Sequence, residues 1–330
     1  MYELESPRQA PGPDLSDLVA NVEKFFKASK APATTKAYDS DLRDYLAFCT
    51  RNNLPYLPTT VEAVVLYVSS VASAVPPLAF STINRRLAAI TFAHRQRGLE
   101  SPATPSKHFL LREVLAGIKR TLGAAPQGAD PLLSDAIRRI VAACPENLLG
   151  TRDRALILLG YAMGSRRSEL ASGIEVRDLT FTEQGLCILL RHHKSERFDP
   201  GPRTIAVPFG EHQATCPVRW VKVWIEAAGL GETQGPLFTA VDRHGNLGEK
   251  ALAPRSIAKI LAKAVARSGG IEGKISPHSL RSGMCTQAAI NGAEERDIQR
   301  TTRHRSTVMV RHYIRDADLF RANAAARLGL

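Results

Sequence analysis

Four separated clusters in this sequence gather side chains able to do acid–base, nucleophilic and electrostatic work. Gly164-Ser165-Arg166-Arg167-Ser168-Glu169 follows directly on an apolar run, ALILLGYAM. Arg191-His192-His193-Lys194 ends a strand-like run, and Pro277-His278-Ser279-Leu280-Arg281 opens a helical pattern. His304 precedes Tyr313 by nine residues. Taken singly, each has an ordinary explanation. An Arg-x-x-Glu is commonly a helix-surface pair worth about 0.2–0.5 kcal/mol. A hairpin lysine is usually solvated, and a tyrosine near a C-terminus is more often packed than reactive.

Taken together they match one reaction. Phosphodiester transfer without a metal needs cations on both non-bridging oxygens, where charge is held in the transition state. Arginine suits that task through its fork geometry and fixed charge. The reaction also needs a nucleophile that can leave again, a base for it, and an acid for the departing 5′-oxygen. Arg166, Arg281, Tyr313, His278 and Lys194 fill these roles as one set. The Arg-x-x-Glu spacing favours Arg166 over its neighbour Arg167, because Glu169 lies three residues on.

The bulk composition agrees with a polyanionic partner. The 330 residues carry a formal charge of +12. Lys and Arg that neutralise phosphates release condensed counterions. Residues 1–130 hold 15 Lys and Arg against 12 Asp and Glu, and residues 131–330 hold 29 against 20, so the second part is the more basic. The five cysteines are scattered and form no CxxC pair, which argues against a disulfide framework and a zinc site. No cofactor or metal is expected. No stretch is apolar for 18 residues and the N-terminus lacks a signal-peptide core. We expect a soluble, cytoplasmic, nucleoid-associated protein of a bacterium, phage or mobile element, with no membrane partner.

These residues need elements to hold them. Residues 1–14 are polar and proline-bearing and read as a disordered arm. Residues 15–122 carry apolar positions at helical spacing and read as a bundle of four or five helices. These run from about Leu15 to Lys27, Thr35 to Arg51, after Thr59, Ser81 to Arg97 and His108 to Leu122. Thr59 and Glu62 are expected to form a capping box for the third. The fourth turns Ile83, Leu87 and Ile90 inward and carries Arg85, Arg86, Arg95 and Arg97 on its other faces. Residues 123–131, rich in Gly, Ala and Pro, read as a linker. Residues 132–330 mix helices with short strands at about Leu179–Phe181, Leu186–Arg191 and Thr204–Val207. Helices follow at about Val218–Ala228, Arg255–Arg267, Ser279–Asn291, Glu294–Arg300 and Ser306–Tyr313. A last one, about Asp318–Leu328, carries Leu319, Phe320, Ala324 and Leu328. The fold class is therefore mostly α with a small antiparallel β-sheet.

The order Arg-x-x-Glu, hairpin Lys, His-x-x-Arg, His and Tyr resembles the tyrosine site-specific recombinase (phage integrase) family, in its Cre-like members. HSLRSG with its alanine-rich continuation, MVRHYIRDAD, and the N-terminal FSTINRRLAAITFAHRQRGLESP carry the resemblance, which spans about residues 15–330. It implies a SAM-like core-binding domain, a mixed α/β catalytic domain and a C-shaped clamp on DNA. By the same resemblance Arg166 and Arg281 bind the scissile phosphate, with Glu169 supporting them from behind. Lys194 protonates the leaving 5′-oxygen, His278 serves the nucleophile as acid and base, and His304 hydrogen-bonds the phosphate. Tyr313 forms a 3′-phosphotyrosyl link. The helix from Arg255 would enter a major groove with Arg255 and Lys259 toward DNA, and Arg85 and Arg86 would contact DNA from the first domain. Arg303 replaces the glycine the family often has before His304, so the turn differs there or Arg303 adds a phosphate contact.

The implied partner is double-stranded DNA with inverted repeats. A homotetramer would assemble on two sites through a Holliday junction, from a chain that is monomeric or weakly associated when free, with the last helix docking on a neighbouring protomer. A type IB topoisomerase-like enzyme, a telomere resolvase and an inert DNA-binding relative are the alternatives. Strand exchange separates the recombinase from the topoisomerase, and a covalent adduct separates an enzyme from a binder.

Overall fold

The computed structural model describes residues 14–123, 128–191, 201–231, 234–304 and 306–317. The chain divides into two compact units, residues 1–127 and 128–330.

The first unit is a helical bundle of α1 (Leu15–Ala28), α2 (Pro32–Arg51), α3 (Val61–Ala72), α4 (Phe80–Arg95) and α5 (Phe109–Leu122). Its core is built from Tyr45, Val64, Tyr67, Ile83, Leu87, Ile90, Leu111 and Leu115. The inward set expected for α4 is the buried set, because apolar residues spaced three and four apart share one helix face. The cap of α3 differs from expectation by one residue. Thr60 is the N-cap and accepts from the Ala63 N–H, whereas Thr59 turns inward. The Thr59 hydroxyl meets Tyr45 Oη at 2.5 Å, and its N–H donates to His94 Nε2 at 3.1 Å. Two adjacent threonines offer the same capping chemistry, and only the tertiary partners decide between them.

The second unit holds α6 (Ser134–Ala142), α7 (Leu148–Ala162) and α8 (Arg167–Ser172). A sheet follows, of β1 (Leu179–Phe181), β2 (Gly185–Leu190) and β3 (Arg203–Pro208). Then come α9 (Pro217–Ala227), a hairpin of β4 (Thr239–Val241) and β5 (Leu247–Ala251), and α10 (Pro254–Ser268). The final described helices are α11 (Pro277–Ile290), α12 (Glu295–Thr302) and α13 (Thr307–Ala317). The sheet is antiparallel in the order β1-β2-β3, with Ile188 facing Leu179 on one side and Ile205 on the other.

Helix α7 is the axis of this unit: from Arg152 to Gly160 every residue is buried. A helix apolar on all sides belongs in a core. Leu156, Ile157 and Leu159 pack there with Ile188, Leu190, Trp224, Phe238, Ile257 and Leu280. Each fully buried aliphatic side chain contributes about 1.5–3 kcal/mol. The polar start of α7 is satisfied internally. The Arg154 guanidinium donates to the carbonyls of Val141, Cys144 and Pro145, at and just beyond the end of α6. Gly283 on α11 is required by packing, since a Cβ there would come within 1.9 Å of the Leu132 carbonyl oxygen.

The β4–β5 hairpin is an element the sequence reading lacks. Its strands are short and largely exposed, so no alternating pattern announces them. The turn is signalled locally: Asp242 accepts from the N–H groups of His244 and Asn246, and Gly245 takes φ 87°.

Candidate active site

Three of the four polar clusters converge, at the ends of α7, α11 and α12 and on α13. The first is delivered by the way α7 stops. Gly164 adopts a left-handed φ of 52°. Its N–H donates to the Tyr161 carbonyl and the Ser165 N–H donates to the Gly160 carbonyl. This reciprocal pair closes a helix end and favours glycine at the left-handed position. The chain then turns at Arg166, the N-cap of α8. Glu169 accepts the Arg166 backbone N–H at 3.0 Å and its Nη1 at 2.6 Å. Arg167 is exposed on α8. The Arg-x-x-Glu spacing therefore makes one carboxylate both the cap of a helix and the holder of an arginine.

The cluster around His278 and Arg281 sits at the start of α11. Ser276 caps that helix by accepting the His278 N–H at 3.2 Å, and Pro277 occupies the first turn, where its missing N–H costs nothing. His278 and Arg281 lie one turn apart. The Arg281 side chain is 2% exposed. Its Nη1 donates to the Gly164 carbonyl at 2.5 Å and its Nε to His304 Nε2 at 3.3 Å. The Arg281 Nη2 is buried with no hydrogen-bond partner among the described residues.

Tyr313 is carried in by α13, which packs against α11 and α12. Cys285, Ala289, Ile298, Val310 and Tyr313 form a small separate core that ties these helices together. The Tyr313 hydroxyl lies 2.9 Å from His278 Nε2, and its ring packs near that of His304, with centroids 5.9 Å apart.

Arg303 takes the turn before His304 in the left-handed region, φ 58° and ψ 39°. The turn is thus the one a glycine would make, retained at an arginine. The side chain is buried and its Nη2 meets Glu169 Oε2 at 2.7 Å, on the carboxylate that also holds Arg166. Glu169, itself 2% exposed, is shared between two arginines 137 residues apart in sequence, since Arg166 also donates to the Arg303 carbonyl. Sequence reasoning offered Arg303 as a phosphate contact; the structure puts its guanidinium behind Arg166, on the carboxylate.

The electrostatics follow from this crowding. Burial pushes the Glu169 carboxyl up, but Arg303 and Arg166 outweigh it and hold the group below the ordinary range. Burial, with Arg166 and Arg303 nearby, brings Arg281 down to about 10, still cationic at neutral pH. Burial and the charges of Arg281 and Arg166 depress His278. The same causes bring His304 down to about 3. Both imidazoles are therefore neutral at pH 7. Burial raises the Tyr313 phenol, and Arg281 opposes that rise.

The remaining sequence candidates fall elsewhere. Lys194 lies in residues 192–200, outside the described residues; the strands flanking that segment, β2 and β3, are paired. His192, His193 and the helix expected near Asp318–Leu328 also lie outside them. Arg255 and Lys259 are exposed on one stripe of α10, which continues through Lys263. In the first unit Arg85 makes a bidentate pair with buried Asp41. Arg86 pairs with Asp44 and donates to Tyr67 Oη, leaving its side chain 16% exposed. These two arginines chiefly bind α4 to α2 and α3, so the expectation of free DNA contacts fits Arg86 poorly. Two residues at the site were not singled out by sequence: Thr302, which meets His304 Nδ1 at 2.7 Å, and Gln299, whose amide donates to the His304 carbonyl. Gly164 was named in the first cluster, but not for the carbonyl that holds Arg281.

Comparison with known proteins places the chain among relatives. Residues 131–319 match the Phage integrase family. An integrase/recombinase xerD homolog of Selenomonas ruminantium is 34% identical over 312 residues, covering 94% of this chain and 89% of that protein. A tyrosine recombinase XerC of Syntrophus aciditrophicus is 34% identical over 171 residues, about half of each chain (51% and 50%). Among solved structures, the Tn1549 transposon integrase in complex with transposon right-end DNA superposes with a TM-score of 0.61 at 16% identity. It covers 94% of this chain and 98% of its own. A lambda integrase dimer bound to a core site gives 0.59 at 15% identity, covering 94% and 79%. These two likenesses are of fold. With the family match and the relative that spans nearly the whole chain, they lead to one conclusion: the chain belongs to the phage integrase family, the tyrosine site-specific recombinases.

Proposed function

We propose that this recombinase cleaves and rejoins double-stranded DNA through a 3′-phosphotyrosyl intermediate on Tyr313 and exchanges strands between two sites. The observation that carries the reading is the hydrogen bond from Tyr313 to His278 beside a buried Arg281 Nη2 that lacks a partner among the described residues. A buried cationic donor left without an acceptor suits an anion that arrives from outside.

The steps follow from the side chains. Arg166 and Arg281 take the non-bridging oxygens of the scissile phosphate and hold the charge that builds there. Glu169, shared with Arg303, orients Arg166. Neutral His278 accepts the phenol proton at Nε2 as the Tyr313 oxygen bonds to phosphorus. The bond from phosphorus to the 5′-oxygen breaks, and Lys194 supplies the proton that oxygen needs. Rejoining runs the same steps backward with a 5′-hydroxyl from the partner duplex, so bond energy is conserved in the phosphotyrosine. The exposed stripe of Arg255, Lys259 and Lys263 suits the phosphates or a groove of the duplex. The apolar spacing of Leu319, Phe320, Ala324 and Leu328 supports a trans-docking helix, and with it a tetramer on two inverted-repeat sites through a Holliday junction.

The test uses a target duplex selected from a random pool by the wild-type protein. Lys194→Ala should cleave it ~10²–10⁴-fold more slowly, the usual worth of a positioned acid. A 5′-bridging sulfur leaves without a proton, so the same variant should cleave the phosphorothiolate duplex at nearly the wild-type rate. Arg281→Ala should not be rescued. Equal failure of Lys194→Ala on both duplexes, or selective rescue of His192→Ala or His193→Ala instead, would overturn the assignment.

A further inference from the structure

The protonation of His304 can be read from its neighbours. A guanidinium only donates, so the bond from Arg281 Nε makes His304 Nε2 an acceptor. In a neutral ring the proton then sits on Nδ1. That Nδ1–H points to Thr302 Oγ1 at 2.7 Å, and the threonine passes its own hydroxyl proton to the Ile298 carbonyl at 2.6 Å. Thr302 is fully buried, and its Cγ2 lies so close to Gly164 that a Cβ on the glycine would come within 2.8 Å. The Gln299 amide holds the His304 carbonyl from the other side.

This tautomer is the wrong one for binding a phosphate. An unprotonated Nε2 would face a phosphoryl oxygen lone pair to lone pair. Arg281, Arg166 and Arg303 surround the ring and disfavour a second proton. The remaining route keeps the ring neutral: one proton is taken from solvent at Nε2 and the Nδ1 proton is returned to solvent, so Nδ1 becomes an acceptor while Arg281 Nε turns from Nε2 to the incoming phosphate. Only a neighbour that can both accept and donate supports both states, and a hydroxyl does so by turning about its C–O bond.

We propose that Thr302 is a positioning residue of the reaction: its hydroxyl holds the His304 proton on Nδ1 in the free protein and turns to donate to Nδ1 when the scissile phosphate enters, so that His304 presents Nε2–H to it. This rests on the reading of His304 as a phosphate ligand. Gly164 serves both partners, through its carbonyl to Arg281 and its open α-carbon against Thr302.

The test reads the tautomer and the chemistry separately. In protein with ¹⁵N-labelled histidine, the His304 signals, identified by their loss in His304→Gln, should show Nδ1–H in the free state. In the Tyr313→Phe protein bound to the selected duplex they should show Nε2–H. Thr302→Val keeps the shape and removes the hydroxyl. It should bind the duplex within about 2-fold of wild type and cleave about 10-fold more slowly, the lower range for losing an outer hydrogen-bond partner. Thr302→Ser should restore the rate. Nε2–H in the free protein, no change on binding DNA, or a Thr302→Ser protein as slow as Thr302→Val would each overturn the proposal. If Thr302→Val does not fold, the labelled wild type and the serine variant still decide it. If Tyr313→Phe forms an adduct, the functional reading fails; if it does not and Thr302→Val cleaves normally, only this proposal fails.

Discussion

Replacing Arg303 separates two opposed terms. The residue sits at φ 58°, where a side chain costs about 1–2 kcal/mol relative to glycine. Its guanidinium pairs with Glu169, the two side chains being 4% and 2% exposed. Removing one member of a buried pair costs about 3–5 kcal/mol, and the lower end applies because Arg166 stays on the carboxylate. Arg303→Gly loses the pair but recovers the backbone term, for a net loss of about 2 kcal/mol; Arg303→Ala loses the pair alone, about 3 kcal/mol. At about 2–4 °C per kcal/mol for a unit of this size, Arg303→Gly should lower Tm by about 4–8 °C and Arg303→Ala by a further 2–4 °C. Both tryptophans, Trp220 and Trp224, lie on α9 of the second unit, so their fluorescence reports that unit selectively. An Arg303→Gly protein as stable as wild type would refute the buried pair. Equal melting of the glycine and alanine variants would refute the strained turn.

Other outcomes follow from the same geometry. Gly164→Ala meets both a left-handed backbone and the Thr302 methyl, so it should destabilise the second unit and slow cleavage, measured by tryptophan unfolding and single-turnover assay. Cleavage should rise with pH on an acid limb whose inflection lies below the ordinary histidine value of 6.5, because the base form of His278 is the active one; an inflection above it would contradict the assignment. His304 and His278 are depressed in the folded state, so the unfolded chain binds more protons below pH 6.5 and stability should fall as pH drops from there toward 3. Urea midpoints that stay level across that window would contradict the buried, neutral rings. Duplex affinity should fall log-linearly with salt, as counterion release requires.

Much of the site was legible because its residues lie in local motifs. Gly164 follows the apolar run that ends α7, and Glu169 stands three residues after Arg166, both local signals; the cap at Ser276 lies three residues before the helix start expected at Ser279. Helices α2, α4 and α10 were legible from apolar spacing. What was not legible depends on distant partners. Nothing local tells that Arg303 reaches back to Glu169, or that Thr302 rather than solvent meets His304 Nδ1. The choice between Thr59 and Thr60 as cap was settled by Tyr45 and His94, from two other helices. The β4–β5 hairpin escaped because exposed strands carry no burial pattern.

Tyr313 is expected to become joined to the 3′-phosphate of cut DNA. The most direct measurement is mass mapping of the protein after reaction with a selected duplex nicked so that the 5′ fragment is lost and the adduct is trapped. After nuclease and protease digestion, the nucleotide should be found on the peptide containing Tyr313, in EDTA as well as in magnesium, and Tyr313→Phe should bind the duplex without any adduct. A nucleotide on another residue, or an adduct from Tyr313→Phe, would contradict the account.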